Sequence, residues 1–171
     1  MVHYRKTILG IGAAAVAVIG GTIIVSPAHA TPPIGFTSTP LINGTFDEFD
    51  VKAPKTDKWD LMLKSKGQTD IRVSRVTFAR DGGQSGWHSH PGPNLLYVVS
   101  GSVTEYDGSD PVCAFKTYKA GDSFGDNGGS AVHFVINSGS VPAVVMAVAM
   151  YPAGAGTRTD RDQPTNCLVT P

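Results

Sequence analysis

The chain has 171 residues, with 14 Lys and Arg against 14 Asp and Glu and only two cysteines. Because the charge is balanced and no run of Lys or Arg stands out, nucleic-acid binding and binding to anionic membranes are both poorly supported. This length is sufficient for one domain with a hydrophobic core.

Residues 1–30 are typical of a secretory signal peptide. Basic residues precede an uncharged apolar stretch at 8–25, and Ala28-His29-Ala30 supplies a small-x-small cleavage site. We expect cleavage before Thr31, giving a secreted protein or one of the periplasm or cell envelope, without a membrane segment after cleavage. The alternative is an uncleaved membrane anchor, because the apolar stretch approaches the length that spans a bilayer.

The remainder predicts an all-β domain with an extension at each end. Residues 31–45 are rich in Pro, Thr and Gly and are expected to be an extended N-terminal segment. A β domain is expected over 46–155, followed by a polar tail over 156–171. Short β-prone runs alternate with turn residues, which favours a β-sandwich or β-barrel. The predicted strands are 46–51, 59–63, 70–80, 95–100, 102–106, 113–118, 132–136 and 143–151.

The two cysteines, Cys113 and Cys167, are expected to form a disulfide bond. An exported protein meets an oxidising compartment, where a pair of cysteines usually joins. The bond would tether the tail to the strand region near Cys113. The alternative is that a cysteine serves as a metal ligand or as a nucleophile.

The histidines form the clearest functional pattern. His88 and His90 are one residue apart, and side chains at i and i+2 of a strand point to the same face. His133 lies in a separate apolar strand. Imidazoles suit Zn, Cu, Fe or Ni better than Mg or Ca, so we predict a divalent transition metal, with Mn also open. The alternative for each histidine is a hydrogen-bonded residue of the core or surface.

Two stretches of the sequence resemble the two motifs of the cupin family, within roughly 71–151. The first motif matches at Gly82, His88, His90 and Gly101, and the second at Gly121, Gly129, His133 and Asn137. The resemblance implies a cupin-type β-barrel, also called a double-stranded β-helix or jelly roll, of the small, secreted, single-domain kind. It also implies a metal or a small ligand inside the barrel, and it favours a homodimer.

The sequence departs from the family pattern at Asn94, which occupies the position of a Glu ligand. Either the metal is held by three histidines, as in some cupin-like dioxygenases, or metal affinity is lost and a polar ligand pocket remains. Asn94 itself is either a ligand or a turn former. Three neutral imidazoles would leave the charge of a dipositive ion uncompensated, which predicts a small anion at an open position.

These observations favour a metal-binding cupin, acting as an oxidoreductase or isomerase on a small anionic molecule. The alternatives are a non-catalytic module that binds a small ligand without metal, and a structural exported domain whose histidines have no function. Asp122 and Asp126 are expected in loops, and no pair of inward-facing acids can be placed for glycoside hydrolysis.

Overall fold

The computed structural model describes residues 30–169, so the predicted signal peptide lies outside the described residues except for Ala30. Within this range the secondary structure is entirely β, and no helix has the length and hydropathy needed to cross a membrane. The strands are β1 (Phe36–Phe46), β2 (Asp50–Lys52), β3 (Met62–Lys64), β4 (Thr69–Phe78), β5 (Gly83–Gln84), β6 (His88–Ser89), β7 (Asn94–Ser100), β8 (Ser102–Asp107), β9 (Phe115–Lys119), β10 (Ser123–Asp126), β11 (His133–Asn137), β12 (Ala143–Pro152) and β13 (Thr159–Asp160).

The strands form two larger antiparallel sheets that enclose one core. The first has the order β1-β4-β12-β7-β10, and the second the order β13-β6-β11-β8-β9, with β5 paired to β11. Strands β2 and β3 form a separate hairpin. Valines from both sheets meet in the core, namely Val76, Val98, Val103, Val135 and Val145. This double-sheet arrangement confirms the prediction of an all-β barrel of the jelly-roll type.

Strand β7 shows how the local sequence positions the site. Alternation points Asn94 and Val98 inward, where their residues are 4% and 0% exposed. Leu95, Tyr97 and Val99 point outward and are about half exposed. Both faces of β7 are therefore apolar, while Asn94 begins the strand at the end nearest the histidines.

A tight turn joins β7 to β8 at Gly101, which has a φ of 71°. A Cβ atom at this position would lie 2.7 Å from the carbonyl oxygen of Pro142. Only glycine combines this left-handed backbone with so close an approach. The last glycine of the first motif is thus explained by packing and backbone conformation.

The N-terminal part of the domain differs from the prediction. Residues 31–45 do not lie apart from the barrel, because β1 pairs with β4 from Phe36 opposite Phe78 to Phe46 opposite Thr69. The predicted strand at 46–51 is not one continuous strand, since β1 ends at Phe46 and only Asp50 and Val51 belong to the next strand, β2. Pro40 obscured β1 in the sequence. It is tolerated because β1 is an edge strand and its register shifts between Pro40 and Ile42.

Strand β10 was not predicted, and the structure corrects the placement of Asp126 in a loop. Four residues, Ser123–Asp126, pair with β7 and bring Asp126 opposite Asn94. The strand is short and contains Gly125, so it has no readable periodicity. Its pairing is decided by β7, which is distant in sequence.

The C-terminal tail returns to the barrel next to the histidines. Asp160 of β13 pairs with His88 of β6. Farther along, Cys167 is joined to Cys113 by a disulfide bond with a Cα–Cα distance of 5.1 Å. Cys167 is fully buried and packs in a cluster with Trp87 and Phe134. The tail is therefore fixed at two points, one of them beside the site.

Candidate metal centre

The structure brings together the three histidines that the sequence singled out. His88 on β6 and His133 on β11 are directly paired across the sheet. His90 follows two residues after His88, just beyond β6. One ring nitrogen from each histidine lies within 4.8 Å of the others, and the Nε2 atoms of His88 and His133 are 3.0 Å apart. His88 and His133 are buried and His90 is half-buried.

Backbone carbonyls hold two of the imidazoles by their Nδ1 atoms. His88 Nδ1 lies 2.9 Å from the carbonyl oxygen of Gly86, and His90 Nδ1 lies 2.7 Å from that of Thr157. A carbonyl can only accept, so each Nδ1 carries the proton in the tautomer that these contacts assign. Nε2 of both rings is thereby left unprotonated, with a lone pair that can bind an electrophile.

The surroundings favour the neutral, ligating form of the imidazoles. Burial is the largest cause that lowers the pKa of His88, His90 and His133 below the ordinary value of 6.5. The charge of Arg158 lowers the pKa of all three further. Neutral imidazole is the form that binds metal ions.

Asp126 is the most important residue that the sequence did not reveal. It is 6% exposed, and its carboxylate accepts hydrogen bonds from Asn94 Nδ2 at 2.9 Å and from Gly128 N at 2.8 Å. Its two oxygens lie 3.8 Å from His90 Nε2 and 3.8 Å from His133 Nδ1. The expectation that the histidines lack a nearby negative charge is therefore wrong.

Asn94 connects Asp126 to Tyr151. The Tyr151 hydroxyl donates to Asn94 Oδ1 at 2.7 Å, while the Asn94 amide group donates to Asp126. The same hydroxyl oxygen lies 3.0 Å from His90 Nδ1. The Asn94 side chain is thus engaged inside the barrel, beside the histidines, and does not serve the preceding turn.

Glu105 is a second acid near the histidines. It lies on β8, with Oε1 3.6 Å from His133 Nδ1. Burial, followed by the charges of Asp126 and Asp107, raises the pKa of Glu105 to about 7. Two inward-facing acids are therefore present, contrary to the sequence-based expectation. Glu105 lies outside both motifs and Asp126 lies between the matched positions of the second, so only the strand pairing of β8 and β10 could have revealed them.

Asn137, the last residue of the second motif, has a structural role. It is fully buried, and its side chain donates to the carbonyl oxygens of Ala79 and Val141. Its Oδ1 accepts from Gly139 N at 2.9 Å. These bonds fix the turn between β11 and β12 and the end of β4, away from the histidine cluster.

The geometry and donor set fit a transition metal ion. Two nitrogens that each lie about 2.0–2.1 Å from one ion are themselves about 3 Å apart, as His88 Nε2 and His133 Nε2 are. The Nε2 atom of His90 completes a set of three imidazole donors that could hold an ion, with Asp126 beside them. Nitrogen donors of this kind select Zn, Cu, Fe or Ni over Mg or Ca.

Comparison with known proteins identifies the domain. Residues 74–149 match the family model described as a cupin domain. None of the curated proteins is significantly similar to this chain. Several solved structures resemble it at low identity, and three of them illustrate the range.

Peruvianin-I, a cysteine peptidase from Thevetia peruviana latex, is 21% identical over 54% of this chain and 56% of its own, with a TM-score of 0.46. The oxalate decarboxylase of Lactobacillus farciminis, in a formate complex, is 22% identical over 53% of this chain and 26% of its own, with a TM-score of 0.46. This chain thus covers less than two thirds of either protein. A cupin-like protein from Thermotoga maritima is 20% identical over 58% of this chain and 80% of its own, with a TM-score of 0.43. Through the domain that contains residues 74–149, the chain belongs to the cupin superfamily.

Proposed function

We propose that the protein binds a divalent transition metal ion through His88, His90 and His133. We further propose that this centre acts on a small anionic molecule as an oxidoreductase or isomerase. The main support is the convergence of three imidazoles, two of which have Nδ1 held by a carbonyl, so that Nε2 is left as the donor atom. Fe, Zn, Cu, Ni and Mn are all compatible with the proposal.

The surrounding acids support the tautomer of His133 that a metal requires. In the contact between His133 Nε2 and His88 Nε2, one proton lies between two nitrogens. A metal ion bound between these nitrogens requires the proton of His133 to move from Nε2 to Nδ1. Glu105 and Asp126 lie 3.6 and 3.8 Å from Nδ1, where a carboxylate stabilises that proton.

A bound metal would supply Lewis-acid or redox chemistry, and the chain would supply position and charge. Asp126 offsets part of the positive charge, and Thr157 fixes the orientation of His90. Burial raises the pKa of the Tyr151 phenol to about 12, so Tyr151 remains a hydrogen-bond donor to Asn94 near neutral pH.

Elemental analysis of the purified protein, followed by calorimetric titration of the metal-free form, tests the proposal. We expect one transition metal ion per chain, and no stoichiometric binding after His88→Gln or His133→Gln. All histidines of the described residues belong to this cluster, so no other histidine can be substituted as a control. Thermal unfolding in the presence of a chelator should instead show that the variants are folded. Unchanged metal content in the variant that carries both His88→Gln and His133→Gln would refute the site.

A binding module without metal is the second possibility, and the cavity beside the histidines favours it. This cavity of about 130 Å³ is lined largely by apolar side chains, which can hold a small ligand without an ion. Ligand binding measured in the presence of a chelator separates the two functions. Full affinity without metal and absence of turnover would favour the module.

We also propose that the protein is exported. The disulfide bond between Cys113 and Cys167 is consistent with an oxidising compartment. The intact mass of the protein recovered outside the cytoplasm provides the test. A mass corresponding to a chain that begins at Thr31 supports cleavage, whereas a mass that includes residues 1–30 supports an uncleaved anchor.

A further inference from the structure

The cavity between the two sheets has a polar end and an apolar body. The polar lining residues contact one another: His88 lies against His133, and Tyr151 contacts both His90 and Asn94. The rest of the wall belongs mainly to the hydrophobic core and is interrupted by small hydroxyl side chains and two arginines. Its larger members are Phe36, Phe78, Leu96, Phe124, Val135 and Val145.

Among the described residues, two charged side chains line the cavity, Arg72 and Arg158, and no carboxylate lines it. Arg72 lies over the Tyr151 ring, with its guanidinium carbon 5.8 Å from the ring centroid. Its partner carboxylate, Asp70, is outside the cavity lining. The charged groups in the cavity wall are therefore cationic, whereas Asp126 and Glu105 lie behind the histidines, outside the lining. Together with a bound dipositive ion, the two arginines favour an anionic ligand.

Arg158 forms an ion pair with Asp160, but one of its buried N–H groups lacks an aligned hydrogen bond. Its Nε donates to Asp160 and its Nη1 donates to the carbonyl oxygen of Ser85. Its Nη2 is buried and lies beside the Asp160 carboxylate, yet it makes no aligned hydrogen bond. A buried donor of this kind is stabilised by an additional acceptor nearby.

We propose that the ligand of this cavity is a monoanion with one carboxylate or enolate head and an apolar body about the size of one six-membered ring. An apolar cavity of about 150 Å³ can hold a benzene molecule, and this cavity is of similar size, about 130 Å³. A dicarboxylate is disfavoured because its second charge would be buried against Phe78, Leu96 and Val145 without a partner. The inference rests on the proposed function in placing the head at the histidines.

Three probes of related shape test the ligand class without altering the protein. Benzoate carries the proposed head and body, benzamide lacks the charge, and oxalate lacks the apolar body. In calorimetric titrations of the metal-loaded protein, we expect benzoate to bind at least about tenfold more tightly than either of the others. Equal or tighter binding of oxalate, equal binding of benzamide, or no binding of benzoate would overturn the proposal.

Two neighbouring residues of β12 provide a matched pair of variants. Ala147 lines the cavity and lies opposite Leu96, whereas Val148 does not line it and lies opposite Leu95 on the outer face. Ala147→Leu should weaken benzoate binding about tenfold or more and leave metal affinity unchanged, while Val148→Leu should change neither. Equal benzoate affinity in the two variants would contradict the proposed position of the ligand.

A second variant keeps the test informative if Ala147→Leu does not fold. Leu96→Ala enlarges the same wall, so the ratio of affinities for 4-methylbenzoate and benzoate should rise relative to that of the wild type. An unchanged ratio would contradict the proposal.

The same titrations in chelator separate this inference from the proposed function. Preference for benzoate without any metal binding would leave the ligand class intact and refute the metal centre. Metal binding without a preference for benzoate would support the metal centre and refute the proposed ligand class.

Discussion

The amide of Asn94 donates a hydrogen bond to the carboxylate of Asp126 across 2.9 Å, although the two residues are 32 positions apart. The neutral Asn94 thus occupies the position of the Glu ligand in the cupin motif, and the carboxylate of Asp126 lies next to it on β10. This relationship changes the charge balance of the site, because Asp126 lies 3.8 Å from ring nitrogens of both His90 and His133.

Replacement of Asp126 by Asn should weaken metal binding. The variant keeps the shape of the side chain but removes the negative charge beside the ion. Loss of such a supporting group typically reduces metal affinity by about 10–100-fold. Calorimetric titration of the variant checks this, with Asp122→Asn as the control, because Asp122 is an exposed carboxylate near the same strand. Equal affinities in the two variants would exclude an electrostatic role for Asp126.

Replacement of Asn94 by Glu should destabilise the metal-free protein. The new carboxylate would meet Asp126 in a buried position and would remove the hydrogen bond that Asp126 now accepts. We expect a loss of about 1–3 kcal/mol in the free energy of unfolding. Because a bound cation offsets the repulsion, added metal should stabilise this variant more than the wild type. Chemical denaturation with and without metal measures both effects, and equal stabilisation by metal would refute the explanation.

Removal of the disulfide bond should impair the metal site as well as stability. Cys167 anchors the tail that carries Thr157, whose carbonyl accepts from His90 Nδ1 at 2.7 Å. For Cys113→Ala/Cys167→Ala we expect a loss of about 2–5 kcal/mol in unfolding free energy. Metal affinity, measured below the unfolding temperature, should also fall. Reduced stability with unchanged metal affinity would show that Thr157 is held in place without the disulfide.

Asp70 should make stability depend on pH in the acid range. It accepts hydrogen bonds from Thr45, Arg72 and Gly154, and these lower its pKa from 3.8 to about 2. A carboxyl group with a depressed pKa in the folded state stabilises the protein above its unfolded pKa. That contribution is lost as the pH falls from about 4 through about 2.

The Asp70→Asn variant tests this pH dependence. Its melting temperature should be lower than that of the wild type at neutral pH, and the difference should shrink between pH 4 and pH 2. Asp81→Asn is a suitable control, because Asp81 is exposed and forms an ion pair with the exposed Arg80. A difference that stays constant over this pH range would show that the Asp70 charge is not responsible.

The outer face of β7 should mediate self-association. Leu95, Tyr97 and Val99 are 56%, 49% and 48% exposed, and Met146 and Val148 lie beside Tyr97 and Leu95 on β12. Contiguous exposed apolar surface of this kind is typical of interfaces. We expect a homodimer in sedimentation experiments and a monomer after Tyr97→Lys. A monomeric wild-type protein at micromolar concentration would contradict this prediction.

The sequence by itself determined the parts of this protein that depend on local patterns. The spacing of His88 and His90 and the turn glycine Gly101 follow from alternation and backbone conformation over a few residues. The predicted strands that became β4, β7 and β12 were also correct, because each is a run rich in β-branched or apolar residues that is bounded by turn residues.

Only the tertiary structure decided which other groups surround the histidines. Asp126, Glu105 and Thr157 reach the site through the pairing of β10, β8 and the tail with distant strands. A carboxylate or a carbonyl is chemically the same in a loop as in a site, so composition and spacing cannot identify its partner. Strand register sets those partners, and register depends on the whole packed sheet rather than on any short stretch of sequence.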